Sequence, residues 1–152
     1  MPMAKKAEQE GRHIVARFLF TAYCLLMLWL LFGQRIGEEL TPGSVNWIPF
    51  ETIRLYLHMR ESTNVYFARH AYVNLIGNVV MFIPLGVFLP WIWKRLRSFF
   101  KVLLLVLLMI VGIELLQYAT GLGSCDIDDL LLNVPGAVIG YVFWRFVCRK
   151  ST

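Results

Sequence analysis

Charge is scarce in this 152-residue chain: Asp, Glu, Lys and Arg together make 16% of it, against about 25% in an ordinary soluble domain. Apolar residues reach 58% and the mean hydropathy is +0.61, which excludes a soluble globular domain and a disordered one. Cysteine is also sparse. Three residues, Cys24, Cys125 and Cys148, give an odd count, two of them in or beside apolar runs, so neither a disulfide framework nor a zinc site is expected. The signatures of common soluble chemistry are missing as well: there is no P-loop, no H-E-x-x-H, no G-x-S-x-G and no paired C-x-x-C. Asp126-Ile127-Asp128 does not open an EF-hand, because Leu130 and Leu131 stand where a ligand and the turn glycine belong. The net charge of +5 does not point to nucleic acid, since the basic residues are not gathered on one polar face.

What the chain has instead is apolar length. A bilayer core of about 30 Å takes roughly 17 to 25 helical residues to cross. Four runs qualify: 14–33, 72–93, 102–119 and 130–148. Such continuous runs read as helices rather than barrel strands, so the expected fold is an all-α membrane protein, a four-helix transmembrane bundle forming one domain over residues 1–152. The first run follows Lys5, Lys6, Arg12 and Arg17 but lacks a small-residue cleavage site, and reads as an uncleaved signal anchor. Lys94, Arg95, Arg97 and Lys101 between runs two and three, and Arg145, Arg149 and Lys150 at the end, fall on the same side as that basic N-terminus. Both termini are therefore expected in the cytoplasm.

The outer loop, 34–71, is long and contains apolar pieces of its own. Ile53, Tyr56 and Leu57 share one helical face and Glu51, Arg54, His58 and Glu61 the other, the pattern of a short amphipathic helix on the outer leaflet. Before it, the turn from Asn46 to Phe50 is expected to dip into the membrane or plug the bundle.

With this topology the polar residues of three spans fall at one depth. Asn74 and Asn78 lie four apart near the outer end of the second span; Glu114 and Gln117 lie three apart in the third, Glu114 about 7 Å below its outer end at 1.5 Å per residue. Asp126, Asp128 and Asp129 stand at the entrance of the fourth span, with Asn133 one turn deeper, and His70 and Arg69 precede the second. Intramembrane polar groups face the bundle interior or a water-filled cavity, so an outward-facing pocket rich in carboxylates and amides is expected. It could hold a divalent cation such as Mg²⁺ or Ca²⁺, or receive a lipid-linked molecule. Structural roles stand beside these: Asp126 and Asp129 as helix caps, and Asn74, Asn78, Gln117 and Asn133 as interhelical hydrogen-bonding groups. Gly136-x-x-x-Gly140 is a spacing for close helix contact, and Pro84 and Pro135 are expected to kink their helices.

The pieces Asn46-x-x-Pro49-Phe50, Asn74-x-x-x-Asn78-x-x-x-Phe82-x-Pro84-x-Gly86, Glu114-x-x-Gln117 and Asp126-x-x-Asp129-x-x-x-Asn133-x-x-Gly136 together resemble the VanZ-like family. The likeness runs from about Ile14 to Tyr141, in order and spacing. It implies a bacterial plasma-membrane protein of four or five helices, the family's namesake being an accessory factor in resistance to glycopeptide antibiotics, chiefly teicoplanin and lipoglycopeptides. The chain ends soon after the fourth span, where some members continue into a fifth helix. The resemblance supplies a phenotype and not a reaction. Two readings of the pocket stay open. One is a non-catalytic site for a membrane lipid, a lipid-linked cell-wall precursor or an antibiotic tail. The other is a metal-dependent enzyme on a lipid-linked or phosphorylated substrate, with Glu114 as base or ligand, Asp126 and Asp129 as ligands, and Asn74 and Asn78 orienting the substrate.

Overall fold

A computed structural model describes residues 2–33, 45–61 and 63–148, the side chains of 2–9, 70 and 148 excepted. In chain order the elements are α1 (Pro2–Phe32), β1 (Val45–Asn46), α2 (Glu51–Arg60), α3 (Val65–Ile92), a 3-10 turn (Lys94–Leu96), α4 (Phe99–Thr120), β2 (Cys125–Asp126) and α5 (Ile127–Phe143), the last running into a π turn, Trp144–Cys148. Four stretches are long and apolar enough to cross a membrane: Glu10–Phe32, Val65–Ile92, Phe99–Thr120 and Ile127–Val147. The protein is a multi-pass helical membrane protein, as the hydropathy pattern requires.

The helices begin earlier than the apolar runs do, because caps and not hydrophobicity set their starts. Asn64 caps α3, accepting from Tyr66 N at 3.0 Å, so α3 starts seven residues before Tyr72 and takes Arg69 and His70 into its first turns. Asp126 caps α5 by accepting from Asp128 N at 2.9 Å. Asp128 and Asp129 thus stand in the first helical turn, where acidic groups complement the helix dipole. Gly121, at φ 68°, ends α4 in the left-handed conformation open to glycine.

The central contact is between α3 and α5. A Cβ added to Gly136 would collide with the Val79 carbonyl, one on Gly140 with the Ile83 carbonyl, and one on Gly86 with the Ala137 carbonyl. Residue numbers rise together along this seam, so the two helices run in the same direction with backbones in contact, the arrangement small residues allow in a membrane. The helices continue through Pro84, Pro90 and Pro135. The third span contributes a stripe at four-residue spacing, Val102, Val106, Ile110 and Glu114, all buried, against a core that includes Phe82, Leu85, Leu89, Ala137, Tyr141 and Trp144. α1 is attached by Tyr23 Oη donating to the Met81 carbonyl at 2.8 Å and by Gln117 Nε2 donating to the Leu31 carbonyl at 3.2 Å. Large apolar side chains such as Phe18, Leu25, Val73, Leu104 and Leu108 remain exposed on the bundle surface, as suits contact with lipid.

Candidate functional site

The start of α5 organises one end of the bundle. β2 lies parallel to β1, pairing Val45 with Cys125 and Asn46 with Asp126. Above this pairing, Asp126 accepts from Asn46 Nδ2 at 3.3 Å and from the Thr52 hydroxyl, while Asn46 Nδ2 also donates to Thr52 Oγ1 at 3.0 Å. Asp128, with no solvent exposure, accepts from Phe50 N at 2.6 Å and from Ile53 N at 3.0 Å. Phe50 is the N-cap of α2, carries no capping side chain of its own and sits at φ 67°, a conformation uncommon outside glycine. An aspartate from another helix therefore supplies the acceptor that the start of α2 lacks. Both carboxylate oxygens of Asp128 are spent on this task, a structural use of a residue the sequence pattern places in the pocket. The turn before α2 does not plug the bundle: Trp47 and Ile48 face outward, 69% and 62% exposed.

One turn away lies a second polar group. Glu114, 6% exposed, accepts from Asp126 N at 2.9 Å, which joins α4 to β2. Its carboxyl also lies within hydrogen-bonding reach of Asp129, and Asp129 accepts from Asn78 Nδ2 at 2.7 Å. Three helices thus meet at Glu114, Asp129 and Asn78, as the depth argument anticipates. Asn133, one turn further along α5, is buried, and its Oδ1 has no hydrogen-bond partner among the described residues. Such an orphaned acceptor costs about 1–3 kcal/mol unless something outside the chain donates to it. Asn74 sits one turn before Asn78 and is engaged as well.

The remaining expected residues separate from this cluster. Gln117 faces α1, and the side chain of His70 lies outside the described residues. Thr52 joins the polar network although the sequence pattern gives it no role; its position beside the Asn46 turn was the available signal. Cys125 is beside the cluster, and burial, followed by the charges of Glu114 and Asp126, pushes its thiol above the ordinary value, opposite to what a nucleophile needs. Among the described residues, no group of three or more His, Cys, Asp or Glu side chains could hold a metal ion, so the candidate ligand set Glu114, Asp126 and Asp129 finds no support in the geometry.

A family model described as VanZ/LLP1 matches residues 18–148. The chain is 23% identical to Protein VanZ of Enterococcus faecium over 129 residues, which cover 84% of this chain and 71% of that protein. No solved structure matches the chain.

Proposed function

The chain belongs to the VanZ/LLP1 family, and on that premise we propose that it is a bacterial plasma-membrane protein contributing to resistance against teicoplanin and lipoglycopeptides, or to cell-envelope homeostasis, by binding a lipid-linked ligand at the Glu114, Asp129, Asn78 and Asn133 cluster. Both termini lie in the cytoplasm in this reading and the cluster opens outward, an orientation favoured by the basic residues at the opposite end. The observation that carries it is Asn133 Oδ1, a buried acceptor without a donor among the described residues, one helical turn from Asp129, whose carboxyl lies within hydrogen-bonding reach of Glu114. Polar groups inside a bundle are functional candidates by default, and this group retains bonding capacity that Asp126 and Asp128 have used on the fold.

The lining also restricts the ligand. Two carboxyl groups and an amide oxygen repel an unshielded pyrophosphate but suit an ammonium or a sugar hydroxyl. The recognised part is then the amine or hydroxyl face of a lipid-linked glycan or of a lipoglycopeptide, with its acyl chain along the lipid-facing helices.

The test is expression of the wild type, Glu114→Gln, Asp129→Asn and Asn133→Leu at matched membrane levels in a susceptible Gram-positive host, with inhibitory concentrations read for teicoplanin and vancomycin. Protection greater against teicoplanin than vancomycin, lost in all three variants while they remain folded, is expected. Protection that survives all three returns these residues to packing and overturns the reading.

A further inference from the structure

At the end of the bundle opposite the carboxylates, three buried donor atoms lack acceptors among the described residues. Arg97 Nε and Nη2 are buried and unpartnered, and so is Nε1 of Trp144, a residue only 1% exposed. The guanidinium carbon lies 5.9 Å from the centroid of the Trp144 ring. Among the described residues nothing else holds the Arg97 head: the bond from Tyr141 Oη, 2.9 Å, goes to the Arg97 carbonyl, and the Arg60–Glu61 pair is the ion pair formed. Arg97 is half-buried, and donor atoms shut away from water without an acceptor are costly enough that a missing partner is the economical explanation.

Three further observations give the partner its chemistry. Arg97 immediately precedes the N-terminus of the 22-residue α4, whose N-cap Ser98 makes no side-chain cap, so free backbone N–H groups face the same corner. Lys101 stands four residues beyond Arg97 and Arg145 next to Trp144, and neither makes an ion pair among the described residues. On the neighbouring turns Phe100, Leu104 and Leu108 of α4 and Phe143 of α5 are exposed, an apolar face suited to lipid. A guanidinium fork matches phosphate oxygens, and an exposed apolar face beside it matches an acyl chain.

We propose that the Arg97–Trp144 corner binds the phosphate of an anionic phospholipid, with its acyl chains lying along the exposed apolar faces of α4 and α5. No side-chain hydrogen bond among the described residues fixes the Arg97 head, which leaves it free to turn toward a ligand. The shared chemistry with free phosphate is the oxyanion; the apolar face selects the lipid. This site is separate from the carboxylate cluster and does not depend on the function proposed there.

The experiment reconstitutes the full chain in phosphatidylcholine vesicles containing a minor share of phosphatidylglycerol, extracts it gently and counts the lipids retained by native mass spectrometry. The wild type is expected to retain phosphatidylglycerol over phosphatidylcholine, and Arg97→Gln to retain about tenfold less, as fits the loss of charge-assisted hydrogen bonds. Trp144→Phe keeps a ring and removes the donor, and shifts in the same direction by less; exposed Arg95→Gln serves as the control and matches wild type. Equal retention of the two lipids by wild type, or equal behaviour of Arg97→Gln and Arg95→Gln, overturns the proposal. Should Arg97→Gln not fold, Arg97→Lys keeps the charge and loses the fork: reduced retention supports the site and unchanged retention overturns it. In lipid-free detergent, inorganic phosphate that raises the melting temperature only when Arg97 is present, without lipid selectivity in the first arm, overturns the lipid assignment in favour of a free oxyanion.

Discussion

Glycine positions on this chain sort into two groups that a single-methyl substitution will separate. At Gly136, Gly140 and Gly86 the added Cβ meets backbone carbonyl groups of the facing helix, whereas at Gly112 in α4 and Gly77 in α3 nothing lies within 4 Å. A carbonyl cannot swing aside as a flexible side chain can, so Gly136→Ala must push α3 and α5 apart by roughly 1 Å or more to reach ordinary van der Waals separation. The expected loss is about 1–3 kcal/mol, the usual effect of overpacking. Gly112→Ala meets no atom and gains helix propensity, so it is expected to be neutral or to stabilise by up to about 1 kcal/mol. Denaturation of purified protein in mixed detergent micelles, followed by tryptophan fluorescence, measures both. Because Asn78 and Asp129 bond across the same seam, Gly136→Ala should also lower any activity of the polar cluster while Gly112→Ala leaves it intact. A Gly136→Ala protein within about 0.5 kcal/mol of wild type, the range of ordinary surface substitutions, would refute the close packing.

Asp128→Ala strips the acceptor from Phe50 N and Ile53 N and is expected to cost about 1–3 kcal/mol, seen as faster proteolysis in the segment containing α2 with the spans still protected. Asn78→Ala removes the 2.7 Å bond to Asp129 and should reduce protection against teicoplanin more than it reduces melting temperature. Cys125 should alkylate slowly at neutral pH, because burial and then the neighbouring Glu114 and Asp126 disfavour its thiolate; the rate rises as pH is taken up through and beyond the ordinary thiol range. Glu114→Gln removes the first of those neighbours and should speed maleimide labelling at the alkaline end of that range, where an unchanged rate would contradict the electrostatic coupling.

Hydropathy made the four spans legible. The meeting of Glu114, Asp129 and Asn78 was legible too, because spans of fixed rise and alternating direction convert sequence position into depth. Helix starts were less so: capping by Asn64 and Asp126 extends each helix beyond its apolar run, and hydropathy is blind to a cap. The role of Asp128 was hidden for a different reason. Its partners, Phe50 N and Ile53 N, stand more than seventy residues earlier in the chain, and a backbone donor leaves no mark in the sequence at all. The same holds for Arg97 and Trp144, whose lack of acceptors emerges only once packing has buried them.

The long-range anchoring of α2 has a consequence for biosynthesis. A ribosome makes the segment around Val45 to Arg60 well before it makes Cys125 to Asp129, yet the strand partner and the acceptors for Phe50 N and Ile53 N belong to the later stretch. While the second and third spans are being inserted, that segment can pack on α3 but has no carboxylate to anchor its start. The anchoring of α2 is therefore completed only when the fourth span leaves the translocon. A nascent chain arrested before residue 125 should carry α2 unfastened, and one released past α5 should carry it locked.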